Sequence, residues 1–109
     1  QVDWLQQQYL FAALEQRQKA IPFHAGEIWQ ILVTGLLYGE GDFEKTITFI
    51  VNYGRDNDTV AAVAGMILGA AIGYEQLPKD LKTQTLQVSK EVMGLDLEAL
   101  ARKISPMPQ

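Results

Sequence analysis

The sequence predicts an all-α protein, and three observations carry that prediction. Apolar residues recur every three or four positions in successive segments, no segment alternates apolar and polar residues over strand length, and β-branched residues are scattered rather than clustered. Glycine and proline punctuate the chain where such helices have to stop.

The first helix is predicted from Val2, Leu5, Tyr9, Ala12 and Ala13, with Gln6, Gln7, Gln8, Gln16, Arg17 and Lys19 mostly elsewhere on the wheel and Pro22 closing the segment. After Pro22, Phe23, His24, Ala25 and Gly26, the set Ile28, Ile31, Leu32, Gly35 and Leu36 repeats the spacing until Gly39, Glu40 and Gly41 break it. Asp42 stands where an N-cap belongs, and Glu44 suits the positive end of a helix dipole. Phe43, Ile47, Ile50 and Val51 give this third, short helix its apolar stripe.

Residues 52–57 are a dense cluster of turn formers, with Asp58 as the expected cap of a long apolar helix running to about Glu75. Leu77 and Pro78 end it. A fifth helix is expected over residues 81–93 with Gly94 beyond it, and a sixth, capped by Asp96, contains Leu97, Leu100, Ala101 and Ile104. Ser105, Pro106, Met107 and Pro108 stop the last one.

At 109 residues the chain supports a single core, and no repeat, low-complexity tract or long linker divides it. Nine Lys and Arg against thirteen Asp and Glu leave a net charge of -4, so the basic face that nucleic acid requires is absent. The longest nearly uninterrupted apolar run, residues 60–74, is shorter than the roughly 18 to 20 residues of a spanning helix. Neither nucleic acid nor a membrane is therefore an expected partner. With no cysteine and a single histidine, thiolate zinc sites, disulfides and sites needing two imidazoles are excluded. Any metal chemistry has to use oxygen.

The oxygen donors gather in one place. Asp56, Asn57, Asp58 and Thr59 put two carboxylates, an amide and a hydroxyl at the mouth of the apolar helix, a donor set suited to magnesium or calcium. By spacing alone the commoner reading is structural: Asp58 caps the helix, Asp56 stabilises the turn and Arg55 pairs with one of them. An EF-hand fails, because counting from Asp56 its required positions fall on Val60, Ala61 and Ile67.

The helix that follows carries Gly65, Gly69 and Gly73 at intervals of four, among Ala61, Ala62, Ala64, Ala70 and Ala71. Glycine costs about 1 kcal/mol against alanine inside a helix, so three on one face predict tight packing against a neighbour and a central position in the core. His24 could be a base or a ligand, although a lone histidine in a turn more often makes a local hydrogen bond. Trp4, Trp29, Phe43 and Tyr74 occupy helical apolar positions and are expected in the core. No phosphate-binding glycine loop and no nucleophilic triad is present.

Residues 52–73, followed by Leu77 and Pro78, resemble the C-terminal signature of the ADP-ribosylglycohydrolase family, which reads Gly-Gly-Asp-x-Asp-Thr, an Ala- and Gly-rich helix, and a short turn into proline. The similarity covers residues 42–78 well and the flanks loosely. Two departures stand out: Arg55 occupies the place of the family's second glycine, and Asn57 separates the aspartates.

The resemblance implies an all-helical fold of the family's orthogonal-bundle type and a pair of magnesium ions held by carboxylates from two places in the chain. It implies Asp56 and Asp58 as metal ligands, Asp58 as a bridge between the ions, Thr59 as a hydroxyl donor, and Gly54, Arg55 and Asn57 as residues near the substrate. The structural reading of the motif gives way to a metal site on this basis. The family's N-terminal Gly-Asp motif is not found among Asp3, Asp42, Asp80 and Asp96. The chain therefore reads as the C-terminal part of a larger, cytoplasmic helical hydrolase, inactive alone, whose remainder supplies the other ligands. Hydrolysis of a glycosidic bond at ADP-ribose or a related nucleoside-type substrate is the implied activity. The competing expectation is a non-catalytic helical module that docks a partner through Gly65, Gly69 and Gly73.

Overall fold

A computed structural model describes residues 2–18, 20 and 24–105, with the side chain of Val2 left aside. Among the described residues six α-helices follow one another: α1 (Val2–Glu15), α2 (Ala25–Gly39), α3 (Phe43–Tyr53), α4 (Asn57–Ile72), α5 (Lys79–Met93) and α6 (Leu97–Ile104), with a 3-10 turn at Tyr74–Gln76. No strand occurs among the described residues, so the all-α expectation holds. Lys19, Pro22 and Phe23 of the first connection, and Pro106, Met107 and Pro108 at the end, lie outside the described residues.

Two compact units divide the chain, Gln1–Gln76 and Leu77–Gln109. In the first, α2, α3 and α4 pack on one another and α1 packs against α2. Ile31, Leu32, Phe49, Ile50, Val60 and Ala64 are its fully buried apolar centre, with Leu14 and Tyr38 closing over them. Phe49 is ringed by aromatics, Tyr38 at 4.6 Å and Phe11 at 4.9 Å between ring centroids. Phe11 also meets Tyr53 at 5.4 Å.

The helix ends are set by local chemistry. Asp42 has an extended backbone and its Oδ1 accepts from the Lys45 amide at 2.9 Å, the expected N-cap. Before it, α2 stops at Glu40 and Gly41, both with positive φ. Crowding also fixes the α2–α3 crossing. Thr46 is completely buried against Gly39, and its hydroxyl donates to Asp42 O at 2.8 Å. Helix α1 is fastened by polar contacts as well, with Gln7 donating to the Tyr38 hydroxyl at 3.1 Å and Asp3 lying 3.7 Å from Lys45. Burial raises the Tyr38 phenol above its ordinary value.

Four expectations need correction. The buried stripe of α1 is Leu10, Phe11 and Leu14 rather than Leu5, Tyr9 and Ala12, since Leu5 and Tyr9 are exposed. Both sets have helical spacing, and the aromatic contacts of Phe11 decide between them. Trp4, Trp29 and Tyr74 are 61%, 62% and 44% exposed, not core, while Phe43 is half-buried. The fourth helix ends at Ile72, because Gly73 takes φ 89 and the chain passes into the 3-10 turn. Finally, the buried face of α4 is Val60, Ala64 and Leu68. A Cβ placed on Gly65 or Gly69 would meet nothing within 4 Å, so the close approach expected there is found instead at Gly35 and Gly39.

The second unit consists of α5 and α6 packed together. Pro78 precedes α5, two residues earlier than the expected start at Leu81. Gly94 ends that helix in the left-handed conformation, and Leu95 donates to Ser89 O at 3.0 Å. Asp96 then caps α6 through the Ala99 amide at 3.0 Å, as expected from its place in the sequence. This backbone hydrogen bond, aided by Lys90 and Arg102, holds the Asp96 carboxyl below the usual aspartate value.

Candidate functional site

The donor-rich segment is the turn between α3 and α4. Helix α3 ends at Gly54, whose φ of 85 suits glycine and carries the chain out of the helix. Asp56, two residues on, is also left-handed, with φ 45 and ψ 44. It occupies the N-cap position of α4, and its carbonyl accepts from the Val60 amide at 3.2 Å. Its side chain makes no capping hydrogen bond. The cap of α4 is thus Asp56 rather than Asp58, and Asp58 lies inside the first turn.

The neighbouring side chains build the turn. Arg55 Nε donates to Glu27 Oε1 at 2.5 Å and Nη2 to Glu27 Oε2 at 3.4 Å, a two-pronged pair with a carboxylate that is 2% exposed. Asn57 Nδ2 donates to Val51 O at 3.0 Å, tying the head of α4 back to the end of α3. Beneath them, burial raises the Tyr53 phenol despite the hydrogen bond it accepts from Gln18 Nε2 at 2.8 Å. Arg55 therefore pairs with an acid on α2, not with Asp56 or Asp58 as spacing alone suggested.

Asp56 is half-buried, whereas Asp58 and Thr59 are exposed. Two carboxylates and a hydroxyl within four residues fit a hard dication by chemistry, and the Asp56 carboxylate is not spent on the helix. They do not enclose one. No group of three or more His, Asp or Glu side chains among the described residues gathers into a metal-holding cluster. His24 is remote from this chemistry in kind: its Nδ1 accepts from the Gly26 amide at 3.1 Å and caps α2.

A family model described as ADP-ribosylglycohydrolase matches residues 2–109. The chain belongs to that family. Neither a curated protein nor a solved structure matches it. Membership accounts for the all-helical architecture. Among the described residues no helix is long and apolar enough to cross a membrane.

Glu27 is the residue that sequence reasoning passed over. Its signal was present: it falls four residues before Ile31 on the buried side of α2, and an acid there needs a cation. Arg55 is that cation.

Proposed function

We propose that this chain contributes one half of a dinuclear magnesium site to a hydrolase that cleaves a glycosidic bond at ADP-ribose or a related nucleoside-type substrate. Asp56 and Asp58 are the carboxylate ligands in this reading, and Thr59 adds a hydroxyl. The observation that carries it is the state of Asp56, a helix-entry aspartate whose carboxylate is left out of the cap and stands beside the exposed Asp58 and Thr59. Family membership supplies the reaction class. A divalent cation would gain anionic oxygen ligands from two aspartates at one helix entrance.

Magnesium bound there would orient ribose hydroxyls and a water and stabilise the charge that develops as the glycosidic bond opens. The chain's own part is to present the oxygens in a fixed array. Gly54, Arg55 and Asn57 border that array, and Arg55 and Asn57 direct hydrogen bonds into the protein, so their first task in this reading is to hold the aspartates in place. The remaining ligands come from outside this donor set, in the rest of the same polypeptide.

The test is Asp58→Asn in the full-length protein. Turnover on an ADP-ribosylated or nucleoside-type substrate, and the heat of magnesium binding, should disappear while the helical circular dichroism stays intact. An Asn variant that keeps its magnesium response overturns the assignment. The alternative, a module docking a partner through Gly65, Gly69 and Gly73, draws on the open space at Gly65 and Gly69. In that case Gly69→Leu damages association and leaves magnesium binding unchanged.

A further inference from the structure

Three aspartates occupy helix N-cap positions, and they behave in two ways. Asp42 and Asp96 have extended backbones, with φ -83 and -87, and each gives an oxygen to the amide three residues on. Asp56 has a left-handed backbone and gives none. The left-handed backbone is uncommon for residues other than glycine, and surroundings that favour it help to hold it. The residue before Asp56 is Arg55, whose side chain is clamped to Glu27 on α2.

We propose that Glu27 is a positioning residue for the magnesium site: by gripping Arg55 it holds Asp56 in the left-handed conformation and so keeps the Asp56 carboxylate from becoming an ordinary helix cap. The inference rests on the metal reading of Asp56 and Asp58 and adds the device that prepares one of the ligands. A carboxylate as deeply buried as Glu27 requires its cation, so the pair is a fixed anchor rather than a surface contact. The planar guanidinium engages both oxygens of Glu27, which sets the orientation of residue 55 as well as its distance from α2. The Asn57 amide on Val51 O pins the other side of Asp56. When the Arg55 anchor is lost, Asp56 is free to relax to the extended backbone of Asp42 and Asp96 and to accept from the Thr59 amide, and its oxygen is withdrawn from the cation.

The test titrates magnesium into the full-length protein and into Glu27→Gln, Arg55→Lys and Asp58→Asn. Glu27→Gln should weaken magnesium binding about tenfold or more, the scale typical of residues that orient metal ligands. A partly unfolded variant also binds with a weakened apparent midpoint, so each titration is made at a temperature where circular dichroism shows the variant fully folded, and the shift must persist there. The Thr59 amide should become more protected from hydrogen exchange in Glu27→Gln, the signature of a newly formed cap. If Glu27→Gln does not fold, Arg55→Lys carries the test, because it keeps the charge but not the fork, and the same direction of shift is expected. A magnesium response that Asp58→Asn abolishes and that neither Glu27→Gln nor Arg55→Lys weakens overturns the positioning role alone. A protein with no magnesium response, or one indifferent to Asp58→Asn, overturns the metal reading and this inference with it.

Discussion

Gly39 and Thr46 share a space that has room for only one side chain. A Cβ on Gly39 would fall on Thr46 Oγ1 and lie 2.8 Å from Thr46 Cβ and 3.1 Å from its Cα. The backbone atom is the decisive one, since it cannot rotate away. Helices α2 and α3 cross closely here because one of them carries no side chain.

Gly39→Ala should therefore destabilise the protein by about 1 to 3 kcal/mol, the usual cost of overpacking a filled site. Chemical denaturation measures it. Thr46→Ala in the same background should recover part of the loss by removing Oγ1, but not all of it, because Cβ and Cα remain in the way. An unchanged midpoint for Gly39→Ala would mean that the crossing is looser than described.

The aspartates at the entrances of α3 and α4 should differ in what they give to stability. Asp42→Ala removes a cap that the Lys45 amide uses and should cost about 1 kcal/mol. Asp58→Ala removes an exposed carboxylate with no such cap bond and should change stability by no more than about 0.5 kcal/mol. Thermal melts of the two variants give the comparison, and a large loss from Asp58→Ala contradicts it.

The outer face of α4 gives a prediction of opposite sign. Gly65 and Gly69 lie inside a helix with open space where a Cβ would go. Alanine at either position should stabilise by about 0.5 to 1 kcal/mol through helix propensity and reduced freedom of the unfolded chain. A destabilised Gly69→Ala in the full-length protein would show that another surface covers this face.

Acid should weaken the cap of α6. The Asp96 carboxyl titrates below the ordinary aspartate value, chiefly because the Ala99 amide donates to it. A lowered folded pKa contributes stability above the unfolded aspartate pKa, and this contribution is lost as the pH falls through the lowered value. Carboxyl-resolved NMR should place the Asp96 midpoint under that of an unfolded aspartate. Asp96→Asn should remove this share of the pH dependence, and an unshifted Asp96 would refute the cause given.

The fold was legible where one local signal decided the outcome. Asp42 and Asp96 read as caps and are caps; Gly94 marks the end of α5; Ile31, Leu32 and Gly35 face the core as their spacing requires. Legibility failed where two local signals competed. In α1 the stripes of Leu5 and Tyr9 and of Leu10, Phe11 and Leu14 are equally periodic, and only the ring contacts of Phe11 with Phe49 and Tyr53 choose. At α4 the glycine spacing suggested close packing, but Val60, Ala64 and Leu68 offer the larger apolar face, and burial follows that area. The candidate site was visible as a string of oxygen donors. The partner of Arg55 was not, because Glu27 is 28 residues away in sequence and the packing of α2 against α3 and α4 brings the two together.

Asp56 sets ease of folding against chemical capability. Its left-handed backbone is one that glycine adopts without penalty, so Asp56→Gly should give a chain that folds more readily. The same replacement deletes an oxygen that no backbone atom can stand in for. A screen for thermal resilience would favour glycine at this position, and, under the proposed metal role of Asp56, a screen for magnesium binding would reject it.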